Sequence, residues 1–193
     1  MKQSLWLLAG VLVGCPKSGS VSNPTPVEST SSPSKAATLS STPTADGLTE
    51  VKVDLNADGK ADVVNYFRDR TDAPRLLMRK ETDLNRDGKI DVRTSFDDAG
   101  LRVQEDMDDD FDGRADWVDH YISGKRTYSE ADTNFDGTFD TFRYYEAGKC
   151  RRKERDTNGD GRIDLWEYLD EAGAVVKTGK DLDGDGKMDV REQ

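Results

Sequence analysis

The sequence is short of the residues that build most catalytic sites. It holds one histidine, His120, and no nucleophile accompanies it in its predicted strand, so it reads as a packed or surface residue rather than a base. Two cysteines, Cys15 and Cys150, allow one disulfide at most. Outside the first fifteen residues there is no HExxH, GxSxG, P-loop or CxxC, and the chain is read as a non-enzyme. Apolar residues make up only 34%, and the mean hydropathy of −0.82 leaves little material for a deep core. Cations are also outnumbered, 28 against 39 acidic residues, which excludes nucleic acid as a partner for the surface as a whole and favours a cationic one.

The longest apolar run, Leu5 to Val13, is too short for a permanent membrane span. It follows Lys2, the segment ends in Leu12, Val13, Gly14 and Cys15, and the stretch MKQSLWLLAGVLVGC resembles a bacterial lipoprotein signal, with an ordinary cleaved signal as the alternative. That resemblance implies residues 1–15 as signal, lipidation (palmitate among the acyl groups) at Cys15, and attachment to a membrane through the N-terminal lipid. Pro16 is not the aspartate that commonly retains such proteins at the inner membrane, so the expected location is the outer membrane of the cell envelope. Residues 16–47 are Ser, Thr and Pro with no apolar periodicity, which predicts a disordered tether with a reach of roughly 30 Å.

The remainder, residues 48–193, is a repeat. DLNADGKAD, DLNRDGKID, DDDFDGRAD, DTNFDGTFD, DTNGDGRID and DLDGDGKMD begin at residues 54, 83, 108, 132, 156 and 181. Between them lie aromatic and β-branched stretches (VVNYF, VRTSF, WVDHY, TFRYY, LWEYL) and turns carrying Gly100, Gly124, Gly148 and Gly173. A helix across each unit would hold its turn glycine in the middle at a cost of about 1 kcal/mol. Strands accommodate it, and the expected fold is all-β: an elongated antiparallel meander of β-hairpins, turns on one edge and DxNxDG loops on the other.

The loops offer oxygen in a fixed order. Position 1 is Asp54, Asp83, Asp108, Asp132, Asp156 or Asp181, and position 3 is Asn56, Asn85, Asp110, Asn134, Asn158 or Asp183. Asp58, Asp87, Asp112, Asp136, Asp160 and Asp185 fill position 5. Position 7 would supply a backbone carbonyl, from Lys60, Lys89, Arg114, Thr138, Arg162 or Lys187. A carboxylate closes the set at position 9: Asp62, Asp91, Asp116, Asp140, Asp164 or Asp189. A hard cation that takes six to eight oxygens suits this donor set, and Ca2+, up to six ions, fits better than Mg2+ with its strict octahedron. Twenty of the 39 acidic residues occupy these positions, and without metal they would repel one another. Metal-free Asx turns are the alternative.

Position 12 (Asn65, Thr94, Asp119, Arg143, Glu167, Glu192) lacks the constant glutamate of a helical EF-hand sensor. The DxDxDGxxD form resembles the calcium loops of FG-GAP and VCBS propeller repeats and, more loosely, thrombospondin type 3 repeats. The repeat is less than half the length of a propeller blade. Taken whole, the chain resembles repeat lipoproteins of myxobacteria and related Gram-negative bacteria. These resemblances imply a structural or adhesive calcium-binding envelope protein, or else a calcium-dependent binding module for a protein or glycan. Trp117, Phe142 and Trp166 are candidates for sheet packing or a sugar platform, and Arg151, Arg152, Lys153 and Arg155 for a solvated strand face.

Overall fold

The computed structural model describes residues 36–192. Among them there is no helix: thirteen strands form one open antiparallel sheet in strict sequence order. They are β1 (Ala37–Pro43), β2 (Thr49–Asp54), β3 (Val63–Arg68), β4 (Leu76–Thr82), β5 (Val92–Phe96), β6 (Arg102–Met107), β7 (Trp117–Ile122), β8 (Lys125–Ala131), β9 (Thr141–Glu146), β10 (Lys149–Arg155), β11 (Leu165–Leu169), β12 (Val175–Lys180) and β13 (Val190–Glu192). The meander expected from the repeat is therefore present, with the acidic loops on one edge and the hairpin turns on the other.

One boundary moves. Residues 37–43, assigned to the tether by composition, form β1 and pair with β2 from Ala37 opposite Asp54 to Pro43 opposite Thr49. Thr44 to Leu48 makes the same turn as the later hairpins: Gly47 N–H donates to the Thr44 carbonyl and Thr44 N–H to that of Leu48. Asp97 with Leu101, and Asp170 with Ala174, repeat the pattern. Residues 16–35 of the expected tether, and Cys15, lie outside the described residues.

β3 and β4 are joined by the longer segment 69–75, whereas the β7–β8 and β9–β10 turns are two-residue turns with both residues left-handed, Ser123 and Gly124 at φ 50° and 73°, Ala147 and Gly148 at 49° and 81°. That geometry matches the right-handed twist of the strands it joins. Each of the five hairpins after the first also carries a register shift in the first residues of its second strand. Tyr121 pairs with Arg126 rather than Thr127, and Phe96 with Arg102 rather than Val103. Such a bulge redirects the side chains beyond it to the other face.

Burial is thin, as the composition implies. Val63, Val64, Val118 and Ala131 are the only buried apolar residues among those described. The apolar material runs as a band beside the loops, where the register aligns Val53, Val63, Thr82, Val92, Met107, Trp117 and Ala131 across successive strands. More polar than apolar side chains are buried, and most of the buried acids are loop residues at positions 1 and 9. The sheet is held chiefly by its hydrogen-bond ladder and by the loops.

Candidate metal centres

Each loop is built by its own carboxylates accepting from its own backbone. The position 1 carboxylate accepts from the position 6 glycine: Gly59 to Asp54 at 2.8 Å, Gly88 to Asp83 at 2.8 Å, Gly113 to Asp108 at 2.7 Å, Gly137 to Asp132 at 2.6 Å, Gly161 to Asp156 at 2.7 Å and Gly186 to Asp181 at 2.6 Å. Position 3 accepts from the position 5 amide, as Asn56 does from Asp58 and Asp110 from Asp112. Position 5 accepts from the position 7 amide, Lys60 to Asp58 and Arg114 to Asp112, both at 2.8 Å. Position 9 accepts from the amide at position 2, Leu55 to Asp62 and Leu84 to Asp91, both at 2.6 Å. Every ligand position named from the sequence therefore belongs to one wound loop. Each carboxylate oxygen carries two lone pairs, so these bonds shape the loop and leave acceptor capacity for a cation.

The winding requires two left-handed residues per loop. Position 6 is glycine throughout, with φ from 81° at Gly186 to 98° at Gly113. Position 4 is the second, and the sequence pattern alone did not reveal it, because only Gly159 and Gly184 mark it there. Ala57, Arg86, Phe111 and Phe135 hold φ between 61° and 67° without being glycine. A left-handed non-glycine residue costs roughly 1–2 kcal/mol, which the loop hydrogen bonds offset.

The loops are also tied to one another. The position 9 amide donates back to the strand before the loop, as Asp62 does to Val53 and Asp116 to Met107. Its carbonyl then accepts from position 1 of the following loop: Asp83 to Asp62 at 2.9 Å, Asp108 to Asp91 at 2.8 Å, Asp132 to Asp116 at 2.7 Å, Asp156 to Asp140 at 2.9 Å and Asp181 to Asp164 at 3.0 Å. Long cations bridge the same gap. Arg86 lies 3.8 Å from Asp62, and Arg162 donates to the Gly184 carbonyl at 2.5 Å.

Three loops bring three carboxylates to within 4.8 Å of one another: Asp83 with Asp87 and Asp91, Asp108 with Asp110 and Asp116, and Asp181 with Asp183 and Asp189. In the third loop Asp112 stands apart from its group, because Arg114 of the same loop holds it at 2.6 Å. That contact lowers the Asp112 pKa. Asp110 responds in the opposite sense. The Asp112 amide pulls it down, but burial and the carboxylates of Asp112, Asp116 and Asp108 outweigh that and leave it above its ordinary value. At Asp54 burial opposes the charge, and the amides of Gly59, Ala57 and Asn56 more than compensate, so its pKa falls. Asp181 is lowered in the same way, burial being outweighed by the amides of Gly186 and Gly184.

One atom departs from this pattern of satisfied oxygens. Asp91 is 3% exposed, and its Oδ1 is buried without a hydrogen-bond partner, while Oδ2 accepts from Leu84 and Asn85. A buried carboxylate oxygen without a donor is a costly arrangement that a coordinated cation would relieve. It belongs to the Asp83, Asp87 and Asp91 group. The acidic clusters are thus compatible in chemistry and spacing with a hard divalent metal.

His120, Cys150 and Trp117, also singled out from the sequence, pack within the sheet. His120 stacks on Tyr128 with ring centroids 5.5 Å apart. Cys150 is a half-buried thiol on β10. Trp117 donates its indole N–H to Asp119 at 2.8 Å and lies beneath the Arg143 guanidinium, 4.5 Å from its ring centre.

No protein-family model matches the chain, and no curated protein matches it. Among solved structures it is similar to accessory secretory protein 1, 2 and 3 of Streptococcus pneumoniae, at 14% identity and a TM-score of 0.29, over 61% of this chain and 19% of that one. It is likewise similar to a mutant of S. aureus TarM in complex with Fondaparinux, alpha-GlcNAc-glycerol and UDP, at 14% identity and TM-score 0.29, over 68% of this chain and 20% of that one. The chain spans about a fifth of the length of these proteins, and a likeness of this size carries no argument about activity.

Proposed function

We propose that the protein is a calcium-stapled scaffold of the bacterial cell envelope, tethered by a lipid at Cys15, with a structural or adhesive role. The observation that carries the calcium reading is the unpartnered, buried Oδ1 of Asp91 within a triad of aspartates less than 4.8 Å apart. Calcium is preferred because the loops offer carboxylate, amide and carbonyl oxygens in a flexible ring, where Mg2+ would demand a tighter octahedron and keep its water. Filling the loops would cancel the crowding that raises Asp110 and more than neutralise the formal net charge of −11.

With so few buried apolar side chains, the ion is a structural component of the fold. Extracellular calcium modules often bind at about 10⁻⁴ to 10⁻³ M, so the sites would fill outside the cytoplasm. The envelope location and the lipid anchor rest on residues 1–15, and the non-enzymatic reading on the commitment of most carboxylates to the loops.

The test is a calcium titration of the soluble chain beginning at Pro16, stripped with chelator and followed by circular dichroism and calorimetry. A multi-site gain of β-structure and melting temperature is expected. A protein whose spectrum and melting are indifferent to calcium would reduce the loops to metal-free turns.

A further inference from the structure

We propose that one face of the sheet, across β5 to β11, binds an acidic polysaccharide, a chain of sugar rings bearing carboxylates. The site stands apart from the calcium reading, because it is built by strands and hairpin turns rather than by the loops.

A hollow of about 610 Å³ is lined by Arg102, Tyr121, Arg126 and Tyr145 together with Phe96 and Leu101. The bulges of two hairpins create it: by pairing Phe96 with Arg102 and Tyr121 with Arg126, they turn both arginines onto the face that carries Asp119 and Trp117. Each guanidinium lies over a tyrosine, Arg102 over Tyr121 at 5.1 Å and Arg126 over Tyr145 at 5.3 Å. Both arginine side chains remain substantially exposed, 43% and 39%. Toward the loop edge of the same face a second hollow, of about 230 Å³, is lined by Thr133, Thr141, Arg143, Lys153 and Arg155 with Glu167. The Nε of Arg143 is buried with no hydrogen-bond partner. Five cations thus line two hollows of one face on a protein of net charge −11, a local inversion of sign that marks an interaction surface for an anion.

The donors are braced from beneath. Asp119 is 1% exposed and accepts from Arg126 Nε at 3.2 Å, Ser129 Oγ at 2.5 Å and Tyr121 OH at 3.3 Å. A buried carboxylate in a sheet with almost no core is an expensive element, and what it does here is fix the Arg126 and Tyr121 groups that line the hollow. Held in this way, the site loses little side-chain freedom on binding.

The arrangement discriminates between anions. The five cations stand on β6, β8, β9 and β10, and the carboxylates of Glu105 on β6, Asp119 on β7 and Glu167 on β11 are interspersed with them. A nucleic-acid strand carries a charge every 3.4 Å or so and would set phosphates against those carboxylates. A carboxylated polysaccharide has sparser charge and hydroxyl groups in between, which can donate to Glu105 and Glu167; Asp119 is buried and serves only to brace the donors. The arginines already covering Tyr121, Tyr145 and Trp117 also take up ring faces that bases would need for stacking.

Calorimetric titration of the calcium-loaded soluble chain with hexagalacturonate, at fixed free calcium, tests this. Binding is expected, with maltohexaose and single-stranded hexathymidylate at least tenfold weaker. The triple variant Arg102→Gln, Arg126→Gln, Arg143→Gln should weaken hexagalacturonate at least tenfold, and Arg152→Gln, which removes a cation stacked on Tyr144 on the opposite face of β10, should leave it within twofold. Equal binding of the neutral sugar, tighter binding of the DNA, no binding of hexagalacturonate, or a loss confined to Arg152→Gln would each overturn the proposal. Should the triple variant lose its strand signal, the salt dependence of the unaltered chain decides: affinity that survives 1 M NaCl is incompatible with a guanidinium–carboxylate site.

Discussion

Arg126 Nε meets Asp119 Oδ2 at 3.2 Å across adjacent strands, and the acid is almost fully buried while the base is not. Removing the acid strands four donors at once: Arg126, the Trp117 indole and the Ser129 and Tyr121 hydroxyls. Asp119→Ala is therefore expected to cost about 3 kcal/mol, within the range for breaking a buried, hydrogen-bonded charge. Chemical denaturation of the calcium-loaded chain measures it. A loss below about 1 kcal/mol would mean that the strands relax around the gap.

A second expectation concerns the third loop, which has four carboxylates and lies mid-array, whereas the equally acidic loop at Asp181 is terminal; this makes it the candidate for tightest binding. Arg114 competes for one of them by pairing with Asp112 at 2.6 Å. Arg114→Gln should release Asp112 and raise that loop's calcium affinity several-fold, while Asp112→Ala should remove the highest-affinity step of the titration. If both variants leave that step unchanged, the third loop is not the tightest site.

Backbone strain gives a third. Ala57 holds φ 65° in the position that Gly159 and Gly184 fill in other loops. Ala57→Gly should stabilise the metal-free chain by about 1 kcal/mol, the left-handed penalty less the added freedom of the unfolded state. Gly137→Ala should destabilise it by more, since φ there is 90°, further into the left-handed region than Ala57, while the exposed Arg114 guanidinium that its Cβ would meet can swing aside. Melting both variants beside the parent checks the sign of each.

Tyrosine ionisation gives the pH dependence. Tyr66, Tyr128 and Tyr144 all hold their protons above the ordinary phenol value, chiefly because burial disfavours the phenolate, with Glu81, Glu130 and Glu154 adding repulsion. The folded state then binds more protons than the unfolded one at alkaline pH. Stability is fully present below about pH 10 and declines as pH rises beyond it toward the folded values. Ultraviolet titration should show these phenols, half of the six tyrosines, ionising only with unfolding. A single unshifted transition for all of them would contradict this.

The loops were legible because their chemistry is local: a spacing of two residues between oxygen donors and a glycine at position 6 are visible in any single copy, and repetition removes chance. The hairpins were legible for the same reason. Position 4 was not, since its left-handed backbone is imposed by the closing hydrogen bonds and is occupied by Ala57, Arg86, Phe111 and Phe135 without a compositional mark. The first strand was hidden by Ser and Thr, which suit a tether and an edge strand equally. A chain starting at residue 36 should accordingly be more stable than one starting at 48, by denaturant midpoint. The Asp119 network was beyond sequence reading, because the bulge opposite Tyr121 decides which face Arg126 occupies.

Every strand pairs only with its neighbours in sequence, and each loop is latched to the next by a single amide, as Asp83 is to Asp62. Under tension between its two ends such a sheet has no long-range clasp that must break before anything else can move. It would yield one strand at a time, at low and nearly equal forces, and re-form in the same stepwise order. Mechanically it is an extensible element, and an ion bound in a loop would act as the catch that sets how hard that step must be pulled.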